Sequence, residues 1–349
     1  MKKTMKRFLL IGIILSMMLS WYRPMEVSAA TPVAAIGAKK YTSLEKAIKK
    51  VKNGETIKIL KNISTPNTIY NARKVSFSID LNKKTITYTG KNEFFYLYRG
   101  TVTIQNGKIK AGKYEVINVG KKAKLIIKNG TYTGGFTNYG KFVIENGKFS
   151  SSRSYTVGNA GTCVIRNGTF KSTSDSKVMI LNEGKKAKLT IQKGSFLGTS
   201  SNLIKNIKGV VTIKGGTYKE KWSEKKNYLD LLWQVSGTMN IYAGTFVSAT
   251  GHCIEQEAGT MNVKGGNFTT TNNDLVEMCG GKINISGGTL CSNEKAVIGI
   301  YSYAACMINV SGGKLLYTPK KCNWYTERTE YDCEYITVKV TGGTFESAN

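Results

Sequence analysis

One short phrase recurs eleven times between residues 100 and 349: a strand of alternating apolar residues, a glycine turn, then one large apolar residue. It reads TVTIQNGKI ending at Ile109, KLIIKNGTY at Tyr132, TCVIRNGTF at Phe170, TMNIYAGTF at Phe246 and TVKVTGGTF at Phe345. The turn glycines are Gly107, Gly130, Gly147, Gly168, Gly194, Gly216, Gly244, Gly266, Gly288, Gly313 and Gly343, spaced 17 to 30 residues apart. A repeat of about 20–30 residues specifies a solenoid, because one unit alone cannot bury its apolar face and must stack on its neighbours.

The columns of the repeat say which solenoid. Three residues before the glycine stand Ile104, Ile127, Ile144, Ile165, Ile191, Ile213, Ile241, Val263, Ile285, Val310 and Val340, all β-branched, as a stiff core-facing strand residue should be. A second apolar column lies two residues earlier, from Val102 and Leu125 through Cys163 to Val338. The period of two marks strands rather than helices. Two residues after the glycine, Tyr132, Phe149, Phe170, Phe196, Tyr218, Phe246, Phe268 and Phe345 make an aromatic column. Coils stacked about 4.8 Å apart would make a rod roughly 50 Å long, with like positions in contact.

A further strand precedes each phrase and often closes on an amide: Asn118, Asn138, Asn159, Asn182, Gln234 and Gln256. Amides stacked at a turn satisfy one another along the rod. The Asn-Gly and Gly-Gly turns supply positive φ. Parallel crossovers are right-handed almost without exception. The expected fold is therefore all-β, a right-handed parallel β-helix of about eleven coils.

These repeats resemble the pectin-lyase-like superfamily of right-handed parallel β-helices, in particular its secreted bacterial surface proteins. The segment AAIGAKKYTSLEKAIKKVKNGETIKILKNI, Ala34 to Ile63, resembles the helical cap and first coil of such proteins, and DLNKKTI, Asp80 to Ile86, resembles an early strand motif. The resemblance implies the fold. It spans lyases, hydrolases, adhesins and structural rods, so it leaves the activity open.

Residues 1–29 read as a secretory signal, with Lys2, Lys3, Lys6 and Arg7 as the basic start, an apolar stretch from Phe8 to Trp21 and small residues Val27-Ser28-Ala29 for cleavage. An extracellular or cell-wall-associated location in a Gram-positive-type bacterium follows as the expectation. Residues 30–99 are expected to hold an N-terminal cap and first coils, and 100–349 the β-helix repeats. In the cap, Thr42 and Glu45 read as a capping box for a helix that buries Leu44, Ala47, Ile48 and Val51, stopped by Asn53-Gly54. No later segment is apolar enough for a membrane span.

Charge divides the chain. Residues 30–219 carry 35 Lys and Arg against 8 Asp and Glu, whereas 220–349 carry 11 against 13. Such a basic half attracts polyanions: wall polymers, acidic polysaccharides or host glycosaminoglycans. Lys121, Lys122, Lys124, Lys128, Arg166, Lys185, Lys186 and Lys188 are its candidate contacts. No nucleic-acid recognition motif is present.

The candidate chemistry lies in the other half. Glu255 and Glu277 stand 22 residues apart, each four before a coil-opening glycine, so they are expected to stack on adjacent coils near His252, Glu257 and Asp274. A hydrolase needs two such carboxylates, and a lyase needs a base and often Ca²⁺. The paired aspartates and Gly-His-Gly of pectate lyases and polygalacturonases are not recognisable. Asn240, Asn262, Asn284 and Asn309 form an outward row that either binds sugar, with Tyr242 as a stacking face, or forms a hydrogen-bond ladder that stabilises the sheet. With one histidine and no Cys-x-x-Cys, no metal site is expected, and no cofactor apart from Ca²⁺ in a lyase. Cys163 falls in a core column. Cys322 and Cys333 flank an insertion in the longest interval and are either a disulfide or two free thiols.

The leading expectation is a secreted, non-catalytic, adhesin-like β-helix that binds glycan or an anionic envelope polymer. The alternatives are a lyase or hydrolase of acidic polysaccharide and a structural spacer belonging to a larger surface protein.

Overall fold

The computed structural model describes residues 31–172, 178–199, 202–220, 229–301, 304–317, 324–327 and 335–347. The proposed signal segment, Cys322 and Cys333 lie outside the described residues.

The chain winds into a parallel β-helix. Each central coil contributes three short strands, and each strand pairs in parallel with its counterpart one coil on. The β-branched ladder runs through Lys141–Ile144, Thr162–Ile165, Lys188–Ile191, Val210–Ile213 and Thr238–Ile241. The aromatic ladder runs through Lys148–Ser151, Thr169–Ser172, Ser195–Gly198, Thr217–Glu220 and Thr245–Ser248. The amide ladder runs through Val157–Asn159, Val178–Glu183, Asn202–Ile207, Leu232–Gln234, Ile254–Gln256 and Val276–Met278.

The columns expected from the sequence are the core. Every member of the β-branched column from Ile104 to Val310 is buried. The aromatic rings stack nearly parallel, at 4.7 Å for Phe149 and Phe170, 4.9 Å for Phe170 and Phe196, and 4.3 Å for Phe246 and Phe268. The two tyrosines in the stack keep their hydroxyls satisfied: Tyr132 donates to Asn129 O at 2.8 Å and Tyr218 to Gly215 O at 3.0 Å. The turn glycine is needed twice over. Gly147 has φ +143°, and a Cβ there would sit 3.0 Å from the Phe149 ring. Val340 departs from the column, being 46% exposed, because its strand Ile336–Ser347 pairs on one side alone among the described residues.

Three local expectations need correction. The helix α1, Leu44–Lys50, is capped by Ser43, whose side chain accepts from Lys46 N; Thr42 Oγ1 instead accepts from Lys46 Nζ. The apolar face of α1 is buried as expected, and Val51 follows it into the core. At the first repeat the positive φ falls on Asn106 (63°) rather than Gly107. Asn118 is not a member of the inward amide column, since Asn138 pairs with Val119 and Asn118 faces Thr137. The cause is length: the corner holding Lys121 and Lys122 is longer than the next, so its strand enters out of step with the sequence pattern.

The remaining amides form a buried chain. Asn138 Nδ2 donates to Asn159 Oδ1 at 2.7 Å, Asn159 to Asn182 at 2.7 Å, Asn182 to Asn206 at 2.8 Å, and Asn206 to Gln234 Oε1 at 2.9 Å. Gln234 turns its Nε2 to Ser236 O instead, and Gln256 Oε1 is left without a partner. Replacing Asn182 by Leu strands the Oδ1 of Asn206 and takes from the Asn159 Nδ2 its shortest acceptor, leaving it Gly161 O and Lys188 O. The expected cost is about 2–4 kcal/mol, read as a lower chemical-denaturation midpoint at unchanged slope; an unchanged midpoint would remove the chain's assigned role.

Candidate functional site

Side chains alternate along each strand, so the residue before each inward amide faces outward. In register, that outward column begins with Tyr70 and Tyr96 and reaches Lys205, Trp233, Glu255 and Glu277 on successive coils. Glu255 and Glu277 are thus Cα partners, the stacking their 22-residue spacing implied. Three residues upstream of Lys205, Trp233 and Glu255 lie Asn202, Asp230 and His252, and Asn202 Oδ1 accepts from the Asp230 backbone N–H at 2.8 Å.

These two columns meet in a compact polar cluster. His252 Nδ1 lies 2.9 Å from Asp230 Oδ1 and 3.0 Å from Glu277 Oε2. The His252 and Asp230 side chains are 8% and 9% exposed, and Glu277 is 25% exposed, so the cluster opens to solvent at Glu277. Burial alone would lower the imidazole pKa; hydrogen bonds and charge from Asp230 and Glu277 outweigh it and raise it to about 9. Glu255 is pushed up to about 9 as well, first by burial, then by its hydrogen bond to Asp230 and the charges of Asp230, Glu277 and Glu257. Burial and the neighbouring carboxylates thus favour the protonated form of Glu255.

Beside the acids stands an aromatic wall. Trp233 Nε1 donates to Glu257 Oε1 at 2.7 Å, and the Lys205 ammonium lies over the Trp233 ring. Burial lowers the Lys205 pKa, opposed by Glu257 and Glu255. The Asp274 carboxylate accepts from Tyr301 OH at 2.7 Å and Ala296 N at 2.9 Å. Cys253, next to His252, points into the core, and burial raises its thiol pKa to about 12, so no nucleophilic pair forms there.

Sequence reasoning missed Asp230. The signal was present, since Asp230, His252 and Asp274 follow one another at intervals of 22 residues. It also missed a tyrosine patch at the other end of the column. Tyr70, Tyr98 and Tyr139 are 58%, 44% and 45% exposed. The Tyr96 and Tyr98 rings stack at 4.0 Å, and Tyr70 stacks on both at 6.4 and 6.3 Å. The patch adjoins the exposed Arg99 and Lys122, which are register partners, and Lys121.

The basic candidates line the corner between the amide and β-branched ladders and the turn beyond. Lys121, Lys122, Lys128, Arg166, Lys185, Lys186 and Lys188 are exposed, and Lys124 is half-buried. Arg166 reaches Glu145 at 3.4 Å; among the described residues none of the seven lysines makes an ion pair. Lys121-Lys122 and Lys185-Lys186 occupy corners that hold extra residues relative to neighbouring coils, so they bulge outward. The outward Asn row is a ladder: Asn262 donates to Asn240 at 2.9 Å, Asn284 to Asn262 at 2.7 Å and Asn309 to Asn284 at 2.8 Å. Beside it Tyr242 is 47% exposed, with the Lys264 ammonium 4.9 Å from its ring centroid. Among the described residues no helix is long and apolar enough to cross a membrane.

No family model, no curated protein and no solved structure matches this chain.

The polar cluster has a pH signature. His252 is raised from 6.5 to about 9, so its contribution to stability is complete below pH 6.5 and is lost as pH rises to about 9. Glu255, raised from 4.5 to about 9, has the same sign: between these values the folded state keeps a proton that the unfolded chain releases. In chelator-containing buffer the wild-type Tm is expected to fall between pH 6.5 and 9, and the fall to be shallower in a His252→Asn, Glu255→Gln double variant. Parallel Tm profiles for the two proteins would contradict the assignment.

Proposed function

We propose that the chain is an extracellular, adhesin-like rod that binds an anionic glycan or cell-envelope polymer along its basic half. The observation that supports this reading is the tyrosine patch set beside lysines free of carboxylate partners. Exposed rings stacked on one another present flat apolar faces with polar edges, the surface that pyranose rings stack on. The adjoining Arg99, Lys121 and Lys122 supply charge for carboxylate or sulfate groups, and the Lys185-Lys186 corner supplies more farther along the same edge. Glu93 and Glu115 also stand near Tyr96, and Glu115 is neutralised by Arg153 at 2.8 Å. The resemblance of the repeats to secreted pectin-lyase-like β-helices agrees with a glycan partner and an extracellular place. The Asn240–Asn309 row keeps outward N–H groups beyond those used in its own ladder, and with Tyr242 it makes a secondary sugar-facing strip.

The test is binding of the full chain without residues 1–29 to heparin, polygalacturonate and neutral dextran over a salt series. Affinity for the anionic polymers is expected to fall steeply with salt, with dextran bound weakly. A Tyr96→Ala, Tyr98→Ala variant should lose about 1–2 kcal/mol, roughly five- to thirty-fold. Lys121→Ala with Lys122→Ala should flatten the salt dependence. Salt-insensitive binding, or full affinity in both variants, would sink the proposal.

A second reading, a glycan hydrolase, is supported by one observation: Glu255 and Glu277 stand in register on adjacent coils, where burial and neighbouring charge raise the Glu255 pKa. Adjacent parallel strands place their Cα atoms about 4.8 Å apart, a spacing from which two outward glutamates can bring their carboxyl groups to the separation of about 5–5.5 Å used by retaining enzymes. Reducing-end release from acidic polysaccharide that disappears in Glu255→Gln, with binding intact, would establish cleavage; no release by the wild type would leave binding alone.

A further inference from the structure

We propose that Asp230, His252 and Glu277 form a binding site for one divalent transition-metal ion of the zinc class. The proposal is independent of polymer binding along the basic half, and it competes with the hydrolase reading for the Glu277 carboxylate. The three residues come from successive coils, and their ligand atoms all lie within 4.8 Å of one another. Donors held about 2.0–2.2 Å from a tetrahedral metal lie roughly 3.3–3.5 Å apart. The present contacts, 2.9 Å from His252 Nδ1 to Asp230 and 3.0 Å to Glu277, need little widening to reach that geometry.

Valence gives an independent argument. A ring nitrogen carries at most one proton, yet Nδ1 faces two carboxylates at nearly equal distance. Its single N–H is therefore shared in a bifurcated contact. No other hydrogen-bond or ion-pair partner of the Glu277 carboxylate is found among the described residues. A metal ion satisfies all three lone pairs at once, the nitrogen and both oxygens, after displacing that proton. The surroundings fit. A side-chain hydrogen bond between Glu255 and Asp230 orients Asp230 as an outer-shell partner orients a ligand. Two ligands are buried and the third is a quarter exposed, so a path for the ion and an open coordination position lie on the Glu277 side.

The donor set selects the ion. Imidazole with two carboxylates suits zinc and its neighbours, whereas Ca²⁺ takes six to eight oxygen ligands and gains little from imidazole. Counting histidines in the sequence argued against zinc, because that rule assumes several His or Cys ligands. Here one histidine is enough because the coil register supplies the two carboxylates. The open position would carry water or an anionic oxygen of the polymer.

The test is calorimetric titration of the full chain without residues 1–29, freed of metal by chelator, with ZnCl₂ and with CaCl₂. One Zn²⁺ site is expected with little response to Ca²⁺, and a cobalt(II) complex should show d–d absorption without a thiolate charge-transfer band, which excludes cysteines as ligands. His252→Ala and the milder Glu277→Gln should each weaken zinc binding at least tenfold. Glu277 is partly exposed, so its variant keeps the test valid if the histidine variant fails to fold. Absence of Zn²⁺ binding by the wild type, a thiolate band, or unchanged affinity in Glu277→Gln would overturn the proposal.

Discussion

Everything in this molecule follows from the parallel register between coils. Each strand hydrogen-bonds to its counterpart on the next coil, so a residue type that recurs at one position becomes a continuous column about 4.8 Å in step. Within the core that step suits flat rings, which is why Phe149, Phe170, Phe196, Tyr218, Phe246 and Phe268 lie nearly parallel. At the corner it suits short amides, each donating to the next. The chain of amides breaks where glutamine replaces asparagine, because the longer Gln234 side chain folds back onto Ser236 O. The outer faces inherit the same copying, and there it acts on charge and aromatic rings instead of packing.

Insertions leave this register intact, and those at Lys121-Lys122 and Lys185-Lys186 bulge at corners. The interval from Gly216 to Gly244 is long, yet Lys205, Trp233 and Glu255 remain in line across it. Coils of equal length carry chemistry because they repeat it: Asp230, His252 and Asp274, or Asn240, Asn262 and Asn284, arise from two successive 22-residue steps. The two ends of one outward column thereby differ in kind. Its first coils present tyrosines beside cations, and its later coils present a buried cluster of acids around the sole histidine. A buried cluster of titratable groups on the outside of a solenoid is unusual for a purely mechanical rod, since core packing does not require it.

The inward columns were legible because burial imposes one residue class at each step: glycine marks the turn, and β-branched and aromatic residues keep fixed offsets from it. Asp230 was not legible in the same way. It stands before the Leu232–Gln234 strand, where a long insertion obscures the count from the preceding glycine, and its partners His252 and Glu255 come from the next coil. The tyrosine patch mixes strand positions with corner positions, Tyr96 with Tyr98 and Tyr139, and no single period gathers them. Asn118 misled for a related reason, because its place two before a glycine matches Asn138 in sequence while the longer Lys121-Lys122 corner shifts the ladder. Sequence periodicity reports columns within one coil length, whereas corners of variable length decide how adjacent columns meet.

The register is tested most directly by engineered disulfides between coils. Thr190 and Thr212 are outward Cα partners on adjacent strands of the β-branched ladder. Cα atoms about 4.8 Å apart fall inside the range of about 4.4–6.8 Å that a disulfide spans. Peptide mapping of oxidised Thr190→Cys, Thr212→Cys protein should show that crosslink in high yield, while Thr190→Cys with Lys214→Cys, displaced by two residues, should show little. Equal yields, or preference for the displaced pair, would contradict the register on which the core, the corner amides and both outer sites depend.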